Sequence, residues 1–511
     1  MAEKVRTINS IESRAGTVAY CFVVVVLMAA FIATLCMNNG ETRFVGTRYN
    51  KTSHHYVNYE QYADLADALL QGNLYLDLPV ADELANLENP YAVGKRVEVA
   101  SKDVVIYWDH AYYEGKYYSY FGVMPAVLLY APYEVITGNT LKTPIAVGAL
   151  GVLAILAVAL MLRRFGIYYF KKTCTTAMLI ALLLLAFNGI NFTYLAFASL
   201  FYSVPILASV FFASLGLWFW IGARSKGETA DGEKLSWARL CAGSFCMALT
   251  LGCRPQFALA SLLAFAIFGK FIFSRKWLFS AYGAKSLAIA LAPFVVVYAL
   301  LFAYNYARFG SILDFGASYN LTGFDMTHYR QRKALTLAAS ICFLFQPINF
   351  TNEFPFVGVT DTTFQDLGWL PTEPFFGGFF MLNPLMYSIV LLPFAWKALR
   401  EKQLLGFSVL SIFSALIIVL VDIRIAGISQ RYFTDSGFFF TLAVSAIMLS
   451  LQKRWSHNTI VKRICIVVIV LGLLFTMQVD LMTLFSPSRY YPVAQLNPEL
   501  YDLIRSCIIN T

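Results

Sequence analysis

Charged residues are scarce in this sequence. Only 14% of its 511 residues are Asp, Glu, Lys or Arg, whereas 59% are hydrophobic. A soluble protein of this length cannot bury so much apolar surface, so the composition excludes the soluble globular class. We therefore predict an all-α polytopic membrane protein that crosses the cell membrane several times.

Common nucleotide and metal motifs are also missing. The sequence contains no Walker loop, no GxGxxG and no HExxH, so nucleotide-driven work and zinc hydrolysis lack support. Its nine cysteines include no pair at the spacing of metal ligands or of a disulfide framework. The net charge of +9 is spread over short loops, and for this reason we expect no nucleic-acid partner.

Long apolar runs are what the sequence has in abundance. We count eleven runs as candidates for crossing a membrane. No small-residue cleavage site follows the first run, so we expect it to be a retained helix. The runs are 17–37, 143–162, 174–188, 203–221, 240–252, 257–273, 286–306, 376–396, 404–421, 437–451 and 464–485.

Basic residues between these runs predict the orientation. With a cytoplasmic N-terminus, more than half of the 39 Lys and Arg residues fall in short inside segments. The short outside connections then hold only Arg254, Arg424 and Arg431. The positive-inside rule therefore predicts a cytoplasmic N-terminus and an extracytoplasmic C-terminus.

This orientation divides the chain into six regions. Segment 123–137 is apolar, but a crossing there would invert every later loop. We interpret it as an interfacial or re-entrant helix broken by Pro125 and Pro132. The regions are the N-terminus with the first span (1–37), a first extracytoplasmic loop with juxtamembrane helices (38–142), spans two to seven (143–307), a second extracytoplasmic region (308–375), spans eight to eleven (376–485) and an extracytoplasmic tail (486–511).

Acidic residues concentrate in the first loop. Segment 59–72 predicts an amphipathic helix in which Glu60 and Asp64 are one turn apart, and Gly72 ends it. Segment 107–122 reads YWDHAYYEGKYYSYFG, which combines Asp109, Lys116 and six tyrosines. In a membrane protein such residues are typical of functional sites. Solvated surface residues are the alternative interpretation.

Seven motifs of the chain resemble the GT-C superfamily of integral membrane glycosyltransferases, which use polyprenyl-phosphate-linked sugars as donors. Two resemble its juxtamembrane segments: EQYADLADALLQGNLYLD and GKYYSYFGVMPAVLLYAPYEVITG. Five runs resemble uncharacterised bacterial members: LENPY, WDHAYYEGKYYSYFG, CRPQ, RFGSILDFGASYNLTGFDMTHYR and QRYFTD. The superfamily includes protein O-mannosyltransferases and lipid A aminoarabinose transferases. The resemblance implies a GT-C-like bundle of about eleven transmembrane helices with interfacial helices in a large first loop.

The chemistry of such a transfer needs a carboxylate base for the acceptor hydroxyl. Glu60 is the first candidate because it follows the first span and matches the superfamily's acidic segment. Asp109 is the second, since Trp108 and the neighbouring tyrosines would partly desolvate it. Asp64 is the third. Better-known families often carry an acidic pair with Asp first, whereas Tyr59 and Glu60 occupy the nearest positions here, so the identity of the base stays open.

The phosphate leaving group needs positive charge at the outer edge of the membrane. Arginine binds phosphate bidentately and lysine acts as a point charge. We predict that Lys116, Arg254 and Arg431 bind the donor phosphate, together with Tyr118 and Tyr432. A salt bridge to Asp435 is the alternative for Arg431, and contact with lipid headgroups is the alternative for Arg254.

A sugar site needs polar groups beside aromatic rings, and the outer loops contain both. No resident metal or cofactor is expected; a divalent ion held by acidic groups is a minor alternative, and His54 and His55 suit a shared metal poorly. The residues predicted to bind sugar or acceptor are Trp108, His110, Arg308, Asp314, Tyr319, Asn320, Asp325, His328 and Arg330.

Together these features predict an inverting glycosyltransferase on the outer face of the cytoplasmic membrane. Its expected partners are a polyprenyl-phosphate-linked sugar donor, a glycan, lipid or protein acceptor of the cell envelope, and membrane lipids. One alternative is a transporter or flippase of lipid-linked sugars, which usually shows internal repeats and intramembrane charges. Another is a non-catalytic GT-C-like subunit that binds a lipid.

Overall fold

The computed structural model describes residues 13–37, 44–51, 53–171, 173–224, 228–229, 232–329, 331–360, 367–487 and 493–509. In this part of the chain, seven helices are long and apolar enough to cross a membrane. The predicted all-α polytopic architecture is confirmed. The seven are Arg14–Cys36, Thr143–Phe170, Ser203–Arg224, Ala281–Phe309, Leu405–Ala426, Gln430–Trp455 and Thr459–Phe485.

The other four predicted spans are short or broken. Thr176–Gly189 has 14 residues and Trp237–Cys253 has 17. The two runs predicted at 257–273 and 376–396 are not continuous α-helices, because each overlaps an eight-residue 3₁₀ segment that starts at a proline. Proline lacks the backbone N–H that an α-helix needs beyond its first turn. The broken segments are Pro255–Leu262, Leu263–Ile267 and Gly269–Ile272, then Phe379–Leu382, Pro384–Leu391 and Leu392–Glu401.

The first loop folds into a small domain at one end of the helices, which we call the loop face. Strands Thr47–Asn50 and His55–Asn58 pair antiparallel, and Tyr107–Trp108 joins the second of them in parallel. Strands Ala111–Tyr113 and Lys116–Tyr118 form a hairpin. The helices of this loop are Gln61–Leu70, Asp82–Ala85 and Val93–Val99.

Segment 123–137 forms one π-helical turn followed by one short helix. The π-helix is Ala126–Tyr130 and the α-helix is Ala131–Thr137, which ends at Gly138 in the left-handed conformation. Twelve residues are too few to cross a bilayer. Val135 and Ile136 are exposed on it, which agrees with the interpretation as a helix lying at a membrane surface.

The helix Phe433–Ser456 lies at the centre of the bundle, since the apolar window of its span is entirely buried. Its first turn reaches the loop face, where the connecting segments meet. The remaining elements are helices Phe192–Phe197, Arg275–Leu278, Lys333–Phe345, Val493–Leu496 and Pro498–Ile509, the 3₁₀ turns Ala317–Tyr319 and Gln430–Tyr432, and the two-residue hairpin strands Glu228–Thr229 with Gly232–Glu233 and Asn349–Phe350 with Val357–Gly358.

Candidate functional site

Asp109 lies buried beneath the small sheet of the first loop. It follows strand Tyr107–Trp108 with a left-handed φ of 56°, a conformation in which Asp is more common than most residues. Its side chain accepts hydrogen bonds from the Tyr202 hydroxyl and, at 3.2 Å, from the Asn320 amide. Only 4% of the residue is exposed. The backbone bends here so that the carboxylate is directed into the bundle, where it accepts from two conformationally restricted donors.

Arg254 follows directly on the end of helix Trp237–Cys253. It forms a bidentate ion pair with Asp435, with nitrogen–oxygen distances of 2.7 and 2.5 Å. The backbone at Gly122 packs against the end of the same helix: a Cβ atom there would lie 2.1 Å from the Cys253 carbonyl oxygen. Only glycine permits this approach. The first loop is thereby held directly beside Arg254.

Arg431 completes the group from the 3₁₀ turn that precedes the central helix. Its guanidinium carbon lies 4.2 Å from the centre of the Tyr202 ring, within cation–π range. Its terminal nitrogen is 3.1 Å from the Glu373 carboxylate. Tyr202 thus contacts Arg431 with its ring and Asp109 with its hydroxyl.

Tyr120 shows that these charges converge. Burial raises the pKa of Tyr120 well above its usual value, Asp109 raises it further, and Arg431 and Arg254 oppose the rise. All three charges are therefore near enough to the Tyr120 hydroxyl to affect its ionisation. We call Asp109, Tyr120, Tyr202, Arg254, Arg431 and Asp435 the Asp109 cluster.

Another buried carboxylate, Asp422, adjoins Asp435. Its Oδ1 accepts a hydrogen bond of 2.8 Å from the Gln256 amide. Gln256 belongs to the 3₁₀ segment that starts at Pro255, so the broken span supplies both Arg254 and Gln256 to this region. The break therefore lets two polar side chains point inward from adjacent turns.

The structure places Glu60 at a different position, below the start of helix Thr143–Phe170. Its Oε2 accepts 2.9 Å hydrogen bonds from both the backbone N–H and the hydroxyl of Thr143. Burial raises the pKa of Glu60 to about 7, although these hydrogen bonds oppose the rise. Asp64, the third candidate base, accepts a hydrogen bond of 2.6 Å from Asn58, and burial raises its pKa. Glu60 thus joins the first loop to a spanning helix, whereas the Asp64 bond lies within the first loop.

Ionisation of Glu60 is expected to lower the stability of the folded protein. The pKa is 4.5 for an ordinary Glu and about 7 here, so the folded state binds a proton more tightly within that window. The free energy of unfolding therefore falls as pH rises through it. In Glu60→Gln, whose amide oxygen still accepts from Thr143, this contribution disappears. Thermal unfolding in detergent from about pH 4 to about pH 8 measures the difference in Tm between the two proteins.

The difference in Tm between wild type and Glu60→Gln should change as pH rises from 4.5 to about 7, and it should be constant above that range. The exposed Glu114→Gln variant of the same loop serves as the control and should follow the wild-type curve. Parallel curves for wild type and Glu60→Gln would contradict the burial of an ionisable Glu60.

Lys116 and Tyr118 lie on the hairpin of the first loop. Lys116 is exposed at the turn, with its nitrogen 4.2 Å from the centre of the Tyr75 ring. Tyr118 is buried and packs edge-on against Phe309 at 5.2 Å. The contacts of Lys116 are thus with the hairpin, whereas Arg254 and Arg431 contact the Asp109 cluster. Tyr432, the fifth predicted phosphate ligand, receives a 3.2 Å hydrogen bond from Arg431.

Of the residues predicted to bind sugar, Asn320 reaches the Asp109 cluster directly. Trp108 and His110 flank Asp109, and the His110 ring is fully buried with its Nδ1 2.8 Å from the Trp108 carbonyl oxygen. Burial lowers the pKa of His110 to about 4, so this histidine is neutral at physiological pH. Arg308 donates to the Ser119 carbonyl oxygen at 2.8 Å, which fixes the strand that leads to Tyr120.

The other predicted sugar ligands form two groups in region 308–375, one on each side of Asn320 in the sequence. Tyr319 packs against Tyr113 at 4.6 Å, and Asp314 accepts from the Gly316 N–H at 2.7 Å. Asp325 accepts from Asn89 at 2.9 Å and lies 3.0 Å from exposed His328. Burial alone would raise the pKa of Asp325. Hydrogen bonds from Thr327, Asn89 and His328 outweigh this effect and lower the pKa to about 2. Arg330 lies outside the described residues.

Four contributors to the site were not among the predicted site residues: Tyr120, Tyr202, Glu373 and Asp435. Tyr202 ends a polar-poor stretch, and nothing in its sequence context predicts a contact with Asp109. Asp435 was considered only as a partner of Arg431, but its bidentate partner is Arg254. Glu373 lies in a proline-rich segment and pairs with Arg431. Within the parts of the chain that the structure describes, no group of three or more His, Cys, Asp or Glu residues could hold a metal ion.

Comparisons with known proteins add structural neighbours but no family. No protein-family description and no curated protein matches the sequence. Among solved structures, the chain is similar to ArnT from Cupriavidus metallidurans bound to undecaprenyl phosphate, with 12% identity and a TM-score of 0.39 over 86% of this chain and 60% of that one.

The chain is also similar to the oligosaccharyltransferase of Archaeoglobus fulgidus. The structure of that protein with a tethered acceptor peptide is 14% identical to this chain, with a TM-score of 0.43 over 95% of this chain and 55% of that one. A second structure of that protein, in complex with an inhibitory peptide and a dolichol-phosphate, is 13% identical to this chain. Its TM-score is 0.38 over 97% of this chain and 56% of that one. The chain thus spans three fifths or less of the length of these proteins. The GT-C resemblance of the sequence predicts neighbours of this kind.

Proposed function

We propose that this protein is a membrane glycosyltransferase that transfers a sugar from a polyprenyl-phosphate donor to a cell-envelope acceptor. The observation that carries the proposal is the Asp109 cluster, in which two buried carboxylates, Asp109 and Asp435, and two arginines lie at the loop face. Such a transfer needs both a base and charge for the leaving phosphate. The GT-C resemblance of the sequence supports the same reaction.

In this proposal Asp109 is the base. Its carboxylate accepts the proton of the acceptor hydroxyl while that oxygen attacks the anomeric carbon. The bond between the anomeric carbon and the phosphate oxygen breaks, and its electron pair leaves with the polyprenyl phosphate. A single displacement of this kind inverts the anomeric centre. Tyr202 and Asn320 hold the carboxylate in one orientation, which reduces the entropy lost on reaching the transition state.

Arg431 and Arg254 receive the negative charge that develops on the leaving phosphate. Both guanidinium groups are ion-paired to protein carboxylates, Glu373 and Asp435, so their planes are already oriented before a phosphate arrives. Preorganised donors stabilise charge in a transition state without further reorganisation. Tyr432 lies beside both arginines, with its ring 5.5 Å from the Arg254 guanidinium carbon.

We place the loop face outside the cytoplasmic membrane, on the distribution of Lys and Arg along the sequence. The exposed apolar helix Ala131–Thr137 then lies in the outer leaflet. A donor anchored by its polyprenyl chain would present its phosphate at this depth, next to the Asp109 cluster.

A second candidate function, transport of lipid-linked sugars, is favoured by the two broken spans. Discontinuous helices with polar groups at the break are common in transporters, and the break at Pro255 carries Arg254. Transport requires no base, whereas the transferase reaction does, so the consequence of neutralising Asp109 distinguishes the two functions.

The roles of the cations are tested by comparing Arg431→Ala with Lys116→Ala. We expect Arg431→Ala to lower the rate of donor cleavage roughly 10²- to 10³-fold, as loss of one oxyanion donor does in other enzymes. Lys116→Ala should change it less than about threefold, because an exposed charge at a hairpin turn is screened by solvent. The measurement is release of labelled sugar from a panel of polyprenyl-phosphate sugars by purified protein. If Lys116→Ala lowered the rate of donor cleavage more than Arg431→Ala did, the phosphate would bind at the hairpin.

A further inference from the structure

An aromatic patch with one exposed and two half-buried rings lies in region 308–375, outside the Asp109 cluster. Phe324, Tyr329 and Trp369 meet edge to face, with ring centres 4.9 to 6.0 Å apart. Trp369 is 60% exposed. Large aromatic surface left open to solvent in this way is typical of a binding site.

Polar groups from both loops lie beside the patch. Asp325 follows Phe324 directly and is held by Asn89 at 2.9 Å, with His328 at 3.0 Å on the same carboxylate. Gly323, on the other side, packs against Trp108, since a Cβ there would lie 3.6 Å from the indole ring. The surface therefore combines aromatic rings with planar hydrogen-bonding groups. Asp325 and His328 come from the same segment as Phe324, and Asn89 comes from the first loop.

The two chain segments that carry the patch also hold the Asp109 cluster. Segment 320–322 pairs with the backbone around Asp109: the Asp109 N–H donates to Leu321 O at 3.0 Å, and the Leu321 N–H donates to His110 O at 2.9 Å. Buried Arg96 donates to the Thr322 carbonyl oxygen and fixes this segment from below. Phe324 is four residues from Asn320, so their Cα atoms are at most about 14 Å apart.

The second segment leads from Trp369 to Arg431. Backbone hydrogen bonds join Pro371 to Ile428 at 2.9 Å and Glu373 to Ile428 at 2.8 Å, and Glu373 then pairs with Arg431. Trp369 and Glu373 are likewise at most about 14 Å apart. A molecule bound on the patch would thus extend toward both the base and the phosphate site.

We infer that Phe324, Tyr329 and Trp369 form the acceptor subsite, and that the acceptor bound there is a carbohydrate chain. This inference rests on the proposed transferase function. The C–H face of a pyranose ring packs on an aromatic ring, while its equatorial hydroxyls bond to carboxylate and amide groups in the ring plane. Asp325, which follows Phe324 in the sequence, and its partner Asn89 supply a carboxylate and an amide beside the patch. A peptide acceptor and a lipid surface are the competing occupants.

Binding to an array of bacterial-envelope oligosaccharides tests the inference, with Trp369→Ala and Phe324→Ala as variants. Phe350→Ala is the matched control, because Phe350 is exposed to a similar degree, 58%, in the same region. We expect wild type and control to bind a subset of the oligosaccharides and Trp369→Ala to bind them about tenfold more weakly. Cleavage of the donor by water, measured without acceptor, should be the same in all four proteins.

Three results would overturn the carbohydrate assignment. The first is that wild type binds no oligosaccharide, and the second is that Trp369→Ala binds the oligosaccharides as well as wild type does. The third is that Trp369→Ala loses binding to phospholipid vesicles or to a peptide panel, and not to oligosaccharides. Donor cleavage by water separates these outcomes from failure of the proposed function, because that reaction needs the Asp109 cluster but not the patch. Circular dichroism and Tm of each variant confirm that it is folded.

Discussion

Asp109→Asn is expected to lower the rate of sugar transfer roughly 10²- to 10⁴-fold, the range over which general base catalysis contributes. The asparagine side chain has the same shape and keeps one oxygen, which can accept from either Tyr202 or Asn320, whereas these two donors bond to different oxygens of Asp109. The asparagine has no basicity to receive the acceptor proton. The measurement is initial transfer rate with a polyprenyl-phosphate sugar donor, together with donor binding, which should stay within about threefold because Asp109 carries no phosphate contact.

Two matched variants give this prediction its control. Asp103→Asn changes an exposed aspartate of the same loop and should leave the rate unchanged. Glu60→Gln should retain most of the rate, because Glu60 bonds to Thr143 and not to the cluster. If Glu60→Gln abolished transfer while Asp109→Asn retained a third or more of it, the base would be Glu60.

Arg254→Met is expected to destabilise the folded protein by about 3–5 kcal/mol, the cost of leaving one member of a buried ion pair without its partner. Asp435, the partner carboxylate, is fully buried, and Asp422 lies beside it, so the remaining negative charge has no solvent to stabilise it. Thermal unfolding in detergent measures the loss as a lower Tm. The double variant Arg254→Met with Asp435→Leu should recover most of the stability, since apolar groups of similar size replace such pairs well.

Activity should behave differently from stability in the same proteins. If Arg254 binds the leaving phosphate, the stable double variant stays slow in donor cleavage. A single variant with wild-type Tm would contradict the buried ion pair, and a fast double variant would restrict Arg254 to a structural role.

The sequence predicts much of this architecture because apolar runs and basic loops obey simple physical rules. All eleven predicted runs contain helix, and the short helices of segment 123–137 follow from its two prolines. The lengths of the broken spans could not be predicted, because a proline such as Pro255 is tolerated at the start of a new helical segment as well as at the end of an old one. The small sheet of the first loop also escaped prediction, since its strands have two to four residues.

The site was predictable in its residue types but not in its pairings. Asp109, Arg254 and Arg431 are conspicuous as charges among apolar or aromatic neighbours, and the structure brings them together. Their partners are distant in sequence: Arg254 pairs with a residue 181 positions away. No local pattern encodes such contacts. Glu60 is the first candidate base on its position after the first span. In the structure its carboxylate accepts hydrogen bonds from Thr143, and its role as the base stays a prediction.

The fate of the bond between sugar and phosphate tests the central claim most directly. Purified wild-type protein in liposomes is supplied with polyprenyl-phosphate donors labelled in the sugar, and the label is followed both chemically and across the bilayer. The transferase function predicts that label leaves the lipid, with release of polyprenyl phosphate, and that Asp109→Asn does not release it. Label that stays on the lipid but reaches the opposite leaflet, at equal rates in both proteins, would contradict that function and establish transport.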